Sequence, residues 1–233
     1  MLKFFGKGSA FADDNTCAYF IDNRDMVLID FSLEAFPKFR RLDFTDIDTI
    51  YILVTHTHGD HISGIGTLIH YAFHYLNIPV IVAAPSDTII YNMKFLLDKI
   101  EGCRKEAYSV ISTNKLNKYW FRASIPTTHT STHKDNCFGY ALLVDKTLTV
   151  YTGDTNKLEP FVSFLVFTSA ARKCMYTEIC ANDSNVHLQI DKFLDDLIEL
   201  QRQGTEVYLM HLDNEKVIRE MIQDTGIKIV EPI

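Results

Sequence analysis

The stretch Thr55–Gly64, THTHGDHISG, decides how the rest of the chain is interpreted. It follows the apolar run Ile50–Val54, which has the length and the β-branched content of a buried strand. Three imidazoles and one carboxylate therefore stand in a loop at the edge of a sheet. In a chain of this composition, the pattern His-x-His-x-Asp-His is expected by chance about once in a thousand sequences. The motif is therefore functional rather than accidental.

Its side chains are those that bind divalent metal ions. Zinc takes imidazole nitrogen and carboxylate oxygen as ligands, and side chains at alternate positions of an extended loop can converge on one ion. His56 and His58 satisfy that spacing, whereas Asp60 and His61 are adjacent and point to a second position. The spacing predicts two neighbouring metal sites.

Hydrolytic metal sites need further ligands and an open position for water. Three candidates stand at the ends of predicted strands: His133 opens HKDNCFGY, Asp154 lies in YTGDT, and His211 lies in LMHLD. An aspartate can bridge two ions with its two oxygens. The sequence therefore predicts a metal-dependent hydrolase.

The pattern of hydrophobic residues predicts an α+β fold in a single domain, residues 1–233, because strand-rich blocks are each followed by helices. Two sheets packed face to face with helices outside satisfy this order. The predicted strands are Leu2–Phe5, Cys17–Ile21, Met26–Asp30, Ile50–Val54, Pro79–Ala83, Gly139–Val144, Leu148–Tyr151, Cys174–Glu178 and Glu206–Met210. The predicted helices are Gly64–Asn77, Ser86–Ile100, Ile190–Gln203 and Asn214–Asp224, with a further helix starting near Ser32.

Composition excludes several classes of protein. The chain has no stretch that resembles a signal peptide or a membrane span, so a cytoplasmic protein is expected. A net charge of −7 argues against binding to extended nucleic acid. Five scattered cysteines without a Cys-x-x-Cys pair argue against a disulfide framework. His70 and His74 fall on the polar face of a predicted helix, where solvent is expected.

These residues, in this order, resemble the metallo-β-lactamase superfamily, whose fold is an αββα sandwich with the metal site at one edge of its sheets. Within it the chain is most similar to the ribonuclease Z branch of phosphodiesterases. The matching segments are GKGSAF (6–11), the pair Leu28–Asp30, THTHGDHISG, HKDNCFGY, YTGDT and LMHLD. The resemblance implies two Zn²⁺ ions, with Mn²⁺ as an alternative. It assigns His56, His58 and His133 to one ion, Asp60, His61 and His211 to the other, and Asp154 to a bridging position.

The resemblance also implies catalytic roles. His133 is preferred to His129 because in this branch the third ligand stands six residues before the glycine of a Gly-Tyr pair. Asp60 assists as a base, and His187 in VHLQ occupies the place of the histidine that protonates the leaving oxygen. Glu178 is expected to orient His187. A surface histidine is the alternative for His187.

One departure from ribonuclease Z bears on the substrate. That branch carries a long arm that grips transfer RNA between its third histidine and its bridging aspartate, but only 21 residues separate His133 from Asp154. The chain is in this respect similar to armless cyclic-nucleotide phosphodiesterases and to anti-Pycsar proteins, by which phages destroy cyclic-nucleotide alarm signals. A small anionic substrate, a cyclic nucleotide, is therefore expected, in the host cytosol if a phage encodes the protein.

Three alternatives remain. One is a thioester or lactone hydrolase of the glyoxalase II type, another is ribonuclease Z-like processing of RNA 3′ ends, and the third is a protein that binds its ligand without cleaving it. The resemblance further implies a homodimer, for which the aromatic-rich stretch Tyr71–Leu76 with Tyr91, Phe95 and Leu96 is the candidate interface. Core packing is the other explanation of those residues.

Overall fold

The computed structural model describes residues 1–133 and 135–233. Its contacts divide the chain into two compact units. The N-unit comprises Leu2–Gly6, Asp13–Asn117 and Pro232–Ile233, and the C-unit comprises Met1, Lys7–Ala12 and Lys118–Glu231. The single domain expected for residues 1–233 stays a prediction.

The N-unit is built on a six-stranded mixed sheet in the order β1-β2-β3-β4-β5-β6. Its strands are β1 Lys3–Gly6, β2 Cys17–Asp22, β3 Asp25–Ile29, β4 Thr49–Leu53, β5 Val80–Ala84 and β6 Tyr108–Ser112. β2 runs antiparallel to both β1 and β3, and β3 to β6 are mutually parallel. β1, β3 and β4 therefore end at the same edge, and Ile29 pairs with Leu53 at that edge.

Helices follow the strands of the N-unit. They are α1 Phe36–Phe39, α2 Gly59–Ile62, α3 Ile65–Tyr71 and α4 Asp87–Phe95. The predicted helices Gly64–Asn77 and Ser86–Ile100 are found, and each ends in a π-helical turn, Ala72–Leu76 and Leu96–Ile100 respectively. The hydroxyl of Ser86 accepts a hydrogen bond from the Ile89 N–H, as an N-cap should.

The helix expected near Ser32 is found: it begins as a 3₁₀ turn, Leu33–Ala35, with Ser32 at its N-cap, and continues as α1. One local expectation in this unit needs correction. His70 was expected in solvent, but it is half-buried, with Nε2 3.0 Å from the carbonyl oxygen of Glu101, because the chain after α4 folds back over α3. His74 is exposed, as expected.

The C-unit contains the second six-stranded sheet, in the order β12-β11-β10-β9-β8-β7. Its strands are β7 Phe121–Thr127, β8 Cys137–Val144, β9 Thr147–Tyr151, β10 Lys173–Glu178, β11 Thr205–Met210 and β12 Lys228–Ile229. β7, β8 and β9 are antiparallel, whereas β9 to β12 are parallel. Asp145 and Lys146, both with positive φ, form the two-residue turn between β8 and β9.

Three helices belong to this sheet: α5 Glu159–Phe167, α6 Ile190–Arg202 and α7 Glu215–Met221. α5 connects β9 to β10 and α6 connects β10 to β11, as parallel strands require. Phe161, Leu197 and Ile218, one from each helix, are buried in a core shared with the strands. α5 was not predicted from EPFVSFLVF, because apolar side chains surround it without a helical period.

Two mixed sheets with helices confirm the α+β class. Among the residues that the structure describes, no helix is both long and apolar enough to cross a membrane. The five cysteines are all buried thiols.

Candidate metal centre

The first group of predicted ligands lies just after the carboxyl end of β4. His56 and His58 lie in extended chain after Leu53, and His56 Nε2 is 2.9 Å from His58 Nδ1. Two nitrogens on one tetrahedral zinc ion lie about 3.3 Å apart, because each Zn–N bond is about 2.0 Å. The two rings therefore need little movement to share an ion.

Asp60 and His61 belong to the first turn of α2, not to the extended loop that the sequence predicted. His61 Nε2 is 3.2 Å from Asp60 Oδ2. The other ring nitrogen, Nδ1, is 2.8 Å from Oδ2 of the buried Asp30. With the Nδ1 proton donated to Asp30, His61 keeps a lone pair on Nε2, beside the Asp60 carboxylate.

Asp30 connects the two pairs of ligands within the N-unit. It follows β3 at φ +57° and is fully buried. Its carboxylate accepts hydrogen bonds from the N–H of Thr55 at 2.8 Å and from the hydroxyl of Thr55 at 2.7 Å. The same hydroxyl oxygen is 3.1 Å from His56 Nδ1. One carboxylate thus orients His61 directly and His56 through Thr55, and such contacts typically set the metal affinity of a site.

The glycine that ends the motif fixes α2 and α3 close to this network. The N–H of Gly64 donates to the carbonyl oxygen of Phe31 at 3.0 Å. A β-carbon at Gly64 would lie 2.4 Å from the carbonyl oxygen of Ser32, so no larger residue fits this approach.

The second group of ligands lies in the C-unit, at the carboxyl ends of its parallel strands. Asp154 follows β9, Glu178 ends β10 and His211 follows β11, so the three side chains meet at one edge of the sheet. Asp154 Oδ1 is 3.4 Å from His211 Nε2, and Asp154 Oδ2 is 3.6 Å from His129 Nε2. Each oxygen of the carboxylate faces a different imidazole, which is the arrangement that a bridging ligand requires.

His129, and not the preferred His133, lies beside Asp154. His129 is buried, and its Nδ1 is 2.8 Å from the carbonyl oxygen of Val186, which leaves Nε2 toward Asp154. His133 lies in a 3₁₀ turn, Ser131–His133, with Nδ1 3.0 Å from the hydroxyl of Thr132. The assignment of His133 as third ligand stays a prediction, and this geometry favours His129.

Glu178 and His187 are in contact, as the expected orienting role requires. Glu178 is fully buried, and its Oε2 is 2.5 Å from His187 Nδ1 and 3.6 Å from His211 Nδ1. Its other oxygen accepts a hydrogen bond from the N–H of Thr155. Burial by itself lowers the pKa of His187, but the hydrogen bond to Glu178 and the charges of Glu178 and Asp154 outweigh it, so the pKa is raised.

The loop that carries His187 is fixed at several points. Asp213, two residues after His211, accepts hydrogen bonds from the N–H groups of Ala181 and Asn182 at 2.8 Å and 3.0 Å. The side chain of Asn156 donates to the carbonyl oxygen of Asn185 at 2.9 Å. These contacts hold His187 in place beside Glu178.

Sequence reasoning missed two residues, and it preferred His133 where the contacts favour His129. Asp30 was named only as the end of a predicted strand and as part of a family segment, and Thr55 only as part of the motif. A carboxylate directly after the apolar run of β3 was the available signal for Asp30. The sequence contains two candidate histidines four residues apart, His129 and His133, and only their contacts distinguish them as candidate ligands.

The donor chemistry of both groups suits a divalent ion. In each unit, imidazole nitrogens and a carboxylate oxygen approach each other at 3.6 Å or less, with several of the residues buried. Such sets are typical of zinc and of other divalent ions.

Comparison with known proteins identifies the family. A family model described as anti-Pycsar protein Apyc1 matches residues 1–232. No curated protein sequence matches the chain.

Solved structures show the fold. The metallo-β-lactamase fold protein YhfI from Bacillus subtilis superposes with a TM-score of 0.73 at 16% identity, over 99% of this chain and 95% of that chain. A diphosphatase of the PhnP family gives 0.70 at 14% identity, over 99% and 94%. The short form of human tRNase Z gives 0.69 at 14% identity, over 99% and 96%. The chain therefore has the metallo-β-lactamase fold, and the predicted αββα class is confirmed.

Proposed function

Because the chain belongs to the anti-Pycsar protein Apyc1 family and is a metal-dependent hydrolase, we propose that it is a dinuclear zinc phosphodiesterase that hydrolyses cyclic nucleotides. The proposed ligands are His56, His58 and His129 for one ion and Asp60, His61 and His211 for the other, with Asp154 between them. His133 is the alternative to His129. Manganese is the alternative metal.

The contact between His187 Nδ1 and the buried Glu178 is the observation that favours a phosphodiester over a thioester as the substrate. Hydrolysis of a phosphodiester expels an alkoxide, which needs a proton, whereas a thiolate leaves readily without one. An imidazole whose raised pKa comes from a fixed carboxylate is suited to supply that proton.

In the proposed mechanism, the ligands named above would hold zinc, which would supply Lewis acidity to the phosphate and lower the pKa of a water molecule. Asp60 then accepts a proton from the attacking water. His187 holds its Nδ1 proton on Glu178 and donates its Nε2 proton to the departing ribose oxygen, so that the ring ends neutral. Glu178 keeps its own charge and orients the ring.

The connection between β8 and β9 supports a small substrate. A two-residue turn joins these strands, and the chain reaches Asp154 three residues after β9 ends. An arm for transfer RNA has no place in this hairpin. Together with the net charge of −7, this argues against ribonuclease Z-like processing.

The test is hydrolysis of a panel of cyclic mononucleotides, thioesters and lactones by the zinc-loaded protein and by His187→Ala. We expect turnover of a cyclic nucleotide and a loss of about 10²- to 10⁴-fold in kcat for the variant, the usual contribution of a general acid. A phosphodiester with a p-nitrophenolate leaving group is the matched control, because its good leaving group needs no proton. Cleavage of thioesters or lactones without turnover of any cyclic nucleotide would overturn the proposal in favour of the glyoxalase II-type alternative.

We further propose a homodimer formed through the N-unit. Tyr75 is 79% exposed, Tyr91 68% and Phe95 50%, so a second copy that covers them would remove apolar surface from water. The partner is a second copy of this chain. Tyr91→Lys should therefore sediment as a monomer at a concentration where the parent protein sediments as a dimer, and Phe167→Lys in the C-unit is the control. A parent protein that is monomeric at micromolar concentration contradicts the dimer.

A further inference from the structure

The loop between β1 and β2 is compact and closed at its neck. Gly6, the last residue of β1, pairs with Cys17, the first residue of β2. A β-carbon at Gly6 would lie 2.3 Å from the carbonyl oxygen of Asn15, so the two chain segments cross where only glycine fits. Loops of this size whose ends meet are frequently functional. Residues 7–14 are called the Phe11 loop below.

This loop is hydrogen-bonded beside a proposed metal ligand. The N–H of Leu212 donates to the carbonyl oxygen of Lys7, and the N–H of Ser9 donates to the carbonyl oxygen of Leu212, both at 2.9 Å. Leu212 directly follows His211. A turn then closes with the N–H of Ala12 on the carbonyl oxygen of Ser9 at 3.0 Å. The tip of the loop is therefore fixed relative to His211.

Phe11 stands at that tip with its side chain in solvent. Its exposure is 101%, whereas Phe4 and Phe5 in the preceding strand are 2% and 1% exposed. Two residues of extended chain span about 7 Å, so Phe11 stays within that distance of Ser9. A phenyl ring held in water on a fixed turn is accessible to a ligand.

The charges of the loop indicate which end of a nucleotide it meets. From Ser9 to Asp14 the sequence is SAFADD, with two carboxylates and no cation. Lys7 is the one basic residue of the loop, and its Nζ is already 2.9 Å from Glu215 and 3.1 Å from Glu231. Such a segment repels a phosphate and is suited to an uncharged planar group.

We propose that Phe11 makes the site prefer a nucleotide to a base-free cyclic phosphate, by stacking on the base of a cyclic nucleotide whose phosphate is held at the metal centre. This inference rests on the proposed function. Stacking on an aromatic side chain tolerates any base, because every base has a π-face. It therefore explains recognition of the nucleoside end without specifying purine or pyrimidine.

The test compares a cyclic nucleotide with the corresponding ribose cyclic phosphate that lacks a base. For Phe11→Ala we expect kcat/KM on the nucleotide to fall about fivefold to a hundredfold, through KM, with kcat/KM on the base-free compound unchanged. Phe11→Trp should keep the preference for the nucleotide. Phe167→Ala, at a position 87% exposed at the end of α5, removes another highly exposed phenyl ring and should change neither value.

Two outcomes overturn the inference while the proposed function stands: Phe11→Ala keeps its preference for the nucleotide, or it loses activity equally on both compounds. The second result would mean that the loop only positions His211. A parent protein that cleaves no cyclic nucleotide would instead overturn the proposed function, and this inference with it.

Discussion

Replacing Asp30 by asparagine is expected to weaken metal binding, although Asp30 is not itself a proposed ligand. The substitution keeps the shape of the side chain and exchanges one accepting oxygen for a donating NH₂ group. The remaining oxygen can still accept from the N–H of Thr55. The new amide group must donate where Asp30 Oδ2 accepted, to His61 Nδ1 and to the hydroxyl of Thr55.

Both changes place a proton on the wrong ring nitrogen. When His61 Nδ1 accepts, its single proton moves to Nε2, the atom that faces Asp60. When the hydroxyl of Thr55 accepts from the amide, it turns its own proton to His56 Nδ1, and His56 Nε2 then carries a proton as well. Loss of one such supporting contact usually weakens metal affinity about 10- to 100-fold. Because two ligands are affected here, we expect about 100-fold, or roughly 2.7 kcal/mol.

Competition between the protein and a chromophoric zinc chelator measures this affinity, and titration of added zinc should restore part of the lost activity. Asp43→Asn is the matched control. That carboxylate is exposed and, among the residues that the structure describes, accepts only from Thr45, at 2.9 Å and 2.6 Å. Its loss removes the same charge from the same unit without touching a ligand. Thr55→Val tests the His56 side separately. Unchanged zinc affinity in Asp30→Asn, with the variant folded, would refute this account of the network.

Three further predictions concern ligands, metal and packing. His129→Ala should lose most zinc affinity and nearly all activity, whereas His133→Ala should keep both zinc affinity and kcat/KM within about threefold of the parent protein. If zinc titration and kcat/KM rank the two variants the other way, His133 is the ligand. Removal of zinc by a chelator should lower the thermal unfolding midpoint, and readdition should restore it, because an ion that binds only the folded state stabilises that state; identical calorimetric midpoints would argue against a resident ion. Gly64→Ala should lower the free energy of unfolding in urea by about 2 kcal/mol or more, because its β-carbon would lie 2.4 Å from the carbonyl oxygen of Ser32. A decrease below about 0.5 kcal/mol would show that α3 can shift.

The sequence predicted most strands of the two sheets and the strand ends that carry polar side chains. β3, β4, β9, β10 and β11 are short apolar runs bounded by turn residues, so their approximate limits follow from local pattern. The strand β6, Tyr108–Ser112, was missed because its residues are only partly buried and alternate weakly. The helix α5 was missed for the opposite reason, since nearly every side chain in it is apolar.

The site was predicted as a set of residue types, not as a set of contacts. His56, His58, Asp60 and His61 share one short segment, so their proximity follows from the chain itself. Glu178 and His187 are nine positions apart, and their contact depends on how the segment between them folds. The local sequence pattern does not determine that fold. His129 and His133 differ in the same way, because a turn between two strands decides which ring meets Asp154.

The parallel arrangement of β9, β10 and β11 has a consequence for how the chain acquires its activity. Asp154, Glu178 and His211 are brought together only after two helical crossovers have returned the chain to the same edge. Pairings between distant segments form more slowly than hairpins, since loop-closure entropy opposes them. We therefore expect the hairpin of β8 and β9 to form early and the C-unit ligands to assemble last, so that a newly made chain binds its metal tightly only when folding is nearly complete.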